Sequence, residues 1–107
     1  MTDSTKAVEP PHARFKLGAL AATPGALAAL QQLGVEPMEL IVRHVTGDFG
    51  ELDAEDRTSN ETAIAHGLRV FSAYTVRDPN DVGKMHRFWV ITEADRSVTT
   101  VLTPSEY

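Results

Sequence analysis

The apolar residues change their period once, at Gly67, and that change constrains the fold more than any other feature of the chain. Before it they recur at helical spacing; after it they alternate. A 3.6-residue period lays a stripe along one side of a helix, whereas a period of two sends neighbouring side chains to opposite faces of a strand. Helices first and strands second, in 107 residues, is the pattern of one α+β domain, since a chain of this length has material for a single core.

Local signals mark the elements. Thr23 and Pro24 precede an Ala- and Leu-rich run and Gly34 follows it, giving a first helix with a hydroxyl cap, a proline at its first position and a glycine past its end. Leu27, Leu30 and Leu33 form its expected inward side. A second helix is expected from Pro37 to about Val45, ended by Gly47, with Met38, Ile41, Val42 and Val45 as its packed stripe. Arg43 and His44 fall at or beyond the border of that stripe. A third is expected from about Ala54 to His66, capped by Asp53 and closed by Gly67, and it is polar nearly all round. Residues 68–76, about 85–92 and 98–103 have strand composition and are joined by turn-forming segments. The expected architecture is two to three N-terminal helices packed on a C-terminal three-stranded antiparallel meander. Residues 1–14 read as a disordered or loosely ordered tail and 15–107 as a single globular domain.

Several chemistries are excluded by what is missing. Without cysteine there are no disulfides, thiolate nucleophiles, zinc ribbons or iron–sulfur ligands. His44 and Asp48 stand four apart but lack a third ligand, so no metal and no cofactor are expected. The most apolar stretch, 17–30, is short and broken by Thr23, Pro24 and Gly25, and the first residues make a poor secretory signal. A cytoplasmic location without membrane contact is the expectation, as a monomer or small homo-oligomer. No nucleophile elbow, phosphate-binding glycine loop or dinucleotide fingerprint is present.

The net charge of −5 is unevenly distributed. Within 51–66, Glu51, Asp53, Glu55, Asp56 and Glu61 against the single Arg57 give −4, whereas five bases balance five acids in 67–107. Such a balance opposes the phosphate attraction that dominates polynucleotide binding, so direct DNA binding is disfavoured.

Two polar blocks interrupt otherwise apolar elements. In residues 91–102, Glu93 offers a carboxylate for acid–base work, Arg96 a planar fork for a phosphate or carboxylate, and Thr99 and Thr100 hydroxyls for positioning. The same residues also suit an ion-paired hairpin with good strand formers. In residues 43–50, His44, whose unperturbed pKa suits proton transfer near neutrality, stands beside Arg43 and Asp48, and Tyr74 lies on a strand that could meet them. A histidine near a helix C-terminus equally suits interaction with the helix dipole.

The blocks Arg43-His-Val-Thr-Gly-Asp-Phe-Gly50 and Ile91-Thr-Glu-Ala-Asp-Arg-Ser-Val-Thr-Thr-Val-Leu-Thr-Pro-Ser-Glu-Tyr107 resemble a family of small bacterial proteins carried on plasmids, prophages and other mobile elements. Phe49 stands where tryptophan is familiar, and 78–84 form a longer insert between the first two strands. The resemblance brings no catalytic residue with it. The order of helices followed by a meander carrying Glu, Arg and Thr is also similar to the barnase and RelE type of small ribonuclease fold, a likeness of architecture alone.

Two functions of different class follow. One is a small phosphoester- or nucleotide-directed, ribonuclease-like enzyme, with His44 and Glu93 as acid and base, Arg96 as anion holder, and Tyr74, Thr99, Thr100, Arg43 and Asp48 as positioning groups. The other is a non-catalytic interaction or inhibitor protein that binds a basic host protein through Glu55, Asp56 and Glu61 of the acidic helix.

Overall fold

A computed structural model of the protein describes residues 12–107. Most of the tail expected over 1–14 lies outside the described residues. Arg14, near its end, donates its backbone N–H to the Val45 carbonyl at 2.8 Å and pairs with Glu61 at 2.6 Å.

Strand β1 (Ala19–Ala22) is followed by helices α1 (Pro24–Leu33), α2 (Pro37–Val45) and α3 (Ala54–His66), then strands β2 (Val70–Asp78), β3 (Asp81–Thr92) and β4 (Val98–Leu102) and a 3-10 turn at Pro104–Glu106. The three helices fall where their caps put them. The Thr23 hydroxyl accepts the Ala26 N–H, Asp53 accepts that of Asp56, and Gly34 and Gly67 end α1 and α3 in the left-handed conformation. The α+β class is as expected.

The sheet differs from the expected three-stranded antiparallel meander. It has four strands in the order β1-β4-β3-β2, with β2, β3 and β4 antiparallel in succession and β1 parallel to β4. The sequence hides β1 because Ala-Leu-Ala-Ala favours helix when taken alone. Its extended state comes from the free edge of β4, and Gly18 admits it. At φ 67° a Cβ on that residue would stand 2.4 Å from the Arg96 and Ser97 carbonyl oxygens.

α1 and α2 cover one sheet face through Ala26, Leu30, Leu33, Leu40, Ile41 and Val45, packed on Tyr74, Phe88, Val90 and Val101. Leu27, expected inward, is exposed, because the buried arc of α1 runs through Ala26, Leu30 and Leu33. The arc of α2 is likewise rotated from the expected stripe. Leu40, Ile41, His44 and Val45 are buried, while Met38 is half-buried and Val42 exposed. A smaller cluster of Phe49, Leu52, Ala63 and Val70 seats α3 beside β2.

Candidate functional site

The rotation of α2 carries His44 from the expected border to full burial, at 0% exposure. Its Nδ1 lies 2.6 Å from the Ser72 Oγ and its Nε2 2.9 Å from the Thr92 Oγ1; Thr92 in turn lies 2.7 Å from the Thr99 hydroxyl, which donates to the Leu17 carbonyl at 2.7 Å. β2, β3 and β4 each contribute one hydroxyl at adjoining positions, since Thr92 is paired with Val70 on one side and with Thr99 on the other.

The direction of every bond in this line is fixed from one end. A hydroxyl has a single proton and a carbonyl only accepts. Thr99 spends its proton on the Leu17 carbonyl, so Thr92 must donate to Thr99. Thr92 must then accept from His44, which therefore carries its proton on Nε2. Nδ1 is left bare and accepts from Ser72. The imidazole is neutral, and burial together with the nearby positive charge of Arg96 pushes its pKa down to about 3. A Ser–His pair of this length has the atoms of an activated hydroxyl, but both imidazole nitrogens are spent and no solvent reaches the group.

The remaining residues of the first block close the end of α2. Arg43 pairs with Asp48 at 2.7 Å and lies over the Tyr74 ring at 4.4 Å. That guanidinium holds the Asp48 carboxyl below the usual carboxylate range. Tyr74 is buried and donates its hydroxyl to the Asp48 carbonyl at 2.6 Å, and burial raises its pKa. His44 and Asp48 therefore point to different surroundings. Among the described residues no group of three metal-ligating side chains converges.

Glu93 and Arg96 are engaged elsewhere. Glu93 accepts from Arg69 at 2.9 Å, and Arg69 also donates to the Tyr107 hydroxyl at 3.0 Å. Arg96 donates to the carbonyls of Leu68, Glu93 and Ala94 and, at 3.0 Å, to that of Ala63 in the last turn of α3. A guanidinium over a helix C-terminus meets its unpaired carbonyls and the negative end of its dipole. Arg96 thus fastens the β3–β4 turn to α3, with its own backbone at φ 60°. His44 and Arg96 both approach the ring of Phe15, at 5.2 and 5.6 Å, but no hydrogen bond or ion pair among the described residues joins His44 to Glu93 or Arg96. Thr99 is part of the buried line. Thr100, its neighbour, is half-buried and paired with Ile91, on the opposite face of the sheet.

Of the acidic helix, only Asn60 and Ala63 are buried. Glu61 is held by Arg14, whereas Glu55 and Asp56 are exposed and make no ion pair among the described residues. Asn60, which is not among the site residues expected from the sequence, donates from Nδ2 to the Phe71 carbonyl at 2.6 Å and accepts the Phe71 N–H at 3.1 Å. Ser72 and Thr92, rather than Glu93 or Arg96, are the partners of His44. The alternation of Ser72 with Val70 and Tyr74 was their signal, because a polar residue on a buried face needs a partner.

Comparison with protein families, curated proteins and solved structures finds no match to this chain.

Proposed function

We propose that this is a non-catalytic interaction protein that presents the outer side of α3 to a basic partner. The observation that carries the reading is the contrast in engagement. α3 is anchored by Asn60, Ala63 and the Arg96 staple and, among the described residues, leaves Glu55 and Asp56 without an ion pair, while His44, Tyr74, Glu93 and Arg96 are spent on contacts inside the protein. A rigid helix with unpaired acids on its first turns steers a basic surface toward itself without reorganising. The likeness of the two polar blocks to small proteins of mobile elements supports a host protein as that partner.

The phosphoester-directed reading draws less support, since a buried His44 with both nitrogens occupied has no approach for a substrate. The two readings separate in one pair of experiments. Host proteins retained on the immobilised chain should be basic, should elute with salt, and should be lost with Glu55→Lys plus Asp56→Lys. Retention that survives the double reversal overturns the interaction reading. RNA cleavage by the purified chain that disappears in Glu93→Gln would instead restore the enzyme.

A further inference from the structure

The two edges of the sheet are finished differently. At the β2 edge the outward backbone groups of Phe71 and Ala73 are occupied. Asn60 takes both groups of Phe71, the Ala73 N–H donates to the Phe49 carbonyl at 3.1 Å, and the Ala73 carbonyl accepts from Glu51 at 2.7 Å. Gly50 makes that approach possible, since a Cβ there would stand 2.0 Å from the Ala73 oxygen. At the β1 edge the register on β4 turns the Ala19 and Thr23 N–H groups toward Ser97 and Val101, and the same alternation turns Ala21 inward. The N–H and C=O of Leu20 and Ala22 therefore point away from the sheet, and among the described residues nothing bonds to them. Monomeric proteins guard such an edge with charge, proline, a bulge or a very short strand, and Ala-Leu-Ala-Ala has only its shortness among these.

We infer that β1 is a self-association strand, pairing antiparallel with β1 of a second copy about a two-fold axis through Ala21 to make a continuous eight-stranded sheet. The backbone pattern is self-complementary. With the axis at Ala21, Leu20 of each copy lies opposite Ala22 of the other, and the outward N–H and C=O groups at both positions satisfy one another in four hydrogen bonds. The side chains fit the same register. Ala21 meets its own symmetry mate at a pair without mutual hydrogen bonds, where side chains come closest and a small residue is required. Leu20, 40% exposed, faces the alanine opposite it and the helix side of the sheet. A mainly apolar cleft of about 220 Å³ opens there, lined by Leu20, Ala22, Pro37, Met38 and Ile41 with Glu36 at its rim.

The charge distribution favours a second copy over an acidic or basic peptide. β1 carries no charge, and α3, within the segment that holds −4 of the −5, packs beside β2 at the far end of the strand order. Two copies joined at β1 therefore keep their acidic helices at opposite ends of the shared sheet, where screening removes their repulsion. The dimer would display two copies of the α3 face, but the inference does not depend on what α3 binds.

Sedimentation of the full chain over a concentration series, with amide exchange followed residue by residue, tests it. A monomer–dimer equilibrium is expected, with the Leu20 and Ala22 amides slowing their exchange as dimer accumulates while the Phe71 and Ala73 amides do not change. Leu20→Lys charges the strip, and Ala22→Pro removes an outward donor without touching a bond to β4. Each should raise the dimer dissociation constant at least about tenfold. Unchanged circular dichroism and thermal melts of the dilute variants would show that the monomer is intact. A chain that stays monomeric to millimolar concentration overturns the inference. So does a dimer that persists in both variants, or one whose formation leaves exchange at Leu20 and Ala22 unaltered.

Discussion

Helices α2 and α3 are both short, both carry a histidine near the C-terminus and both lie against β2, yet they use their polar residues in opposite ways. α2 turns His44 inward, where hydroxyls from β2 and β3 receive it, and α3 turns its acids outward and keeps only Asn60 for the sheet. The difference lies in what each helix covers. α2 crosses the sheet face, so a polar side chain on its inner arc is forced into the core and must be satisfied there. α3 sits beside the edge of β2, where one amide side chain can finish the unpaired backbone and most of the helix remains in water. The inward polar residue of α2 therefore serves the fold, while of α3 only Asn60 is turned to the sheet and its acids stay in solvent.

The contrast breaks most readily at His44. His44→Ala should cost about 3–5 kcal/mol, from the vacated volume and from Ser72 and Thr92 left without a partner. Urea unfolding measures it, and a loss below about 1 kcal/mol would mean that the line of bonds does not hold α2. Acid should act on the same group. The unfolded imidazole takes up its proton near pH 6.5 and the folded one near 3, so the unfolded state binds more protons throughout that interval. Stability should accordingly be complete above pH 6.5 and fall as pH drops from there toward 3, by up to about 1.4 kcal/mol per unit. A His44→Leu variant should flatten the decline above the carboxylate range, and an unaltered slope would assign it elsewhere.

Asn60→Ala tests the other helix at its one inward polar contact. Removing both bonds to Phe71 should cost about 1–3 kcal/mol and expose a stretch of the β2 edge, seen as faster exchange of the Phe71 amide. Arg96 offers a finer comparison. Arg96→Ala loses the staple but keeps a side chain at φ 60°, whereas Arg96→Gly loses the staple and relieves the backbone. The glycine variant should be the more stable by about 1 kcal/mol, and equality of the two would remove strain from the account. The smallest effect belongs to the outer side of α3. Glu55→Lys and Asp56→Lys should each change unfolding free energy by only a few tenths of a kcal/mol, mainly through the helix dipole, because neither residue packs or pairs within the described structure.

The limits of each helix were legible because capping is local: Thr23, Pro24 and Gly34, or Asp53 and Gly67, act within one turn of the residues that they terminate. The three antiparallel strands were legible for the same reason, through alternation and turn residues, although β3 begins at Asp81, inside the segment expected as an insert. The candidate residues were legible as types but not as a site. Arg96 has the chemistry of an anion holder in any sequence, and only the arrival of the α3 C-terminus beside it turns that fork toward carbonyl oxygens. Likewise, apolar periodicity alone places Met38 and Val42 on the inner side of α2. The buried arc instead follows the position where Ser72, Thr92 and Thr99, which are well separated in sequence, stand together across paired strands.

By itself, then, the sequence determined the α+β class, the helix boundaries and the concentration of acid in one helix, since each depends on neighbours a few residues apart. Tertiary structure decided the strand state of Ala19–Ala22, the protonated nitrogen of His44 and the difference between the two sheet edges. Those features depend on backbone and side-chain groups far apart in the chain, whose unpaired hydrogen-bonding capacity selects a partner only once the sheet brings them within 3 Å or so.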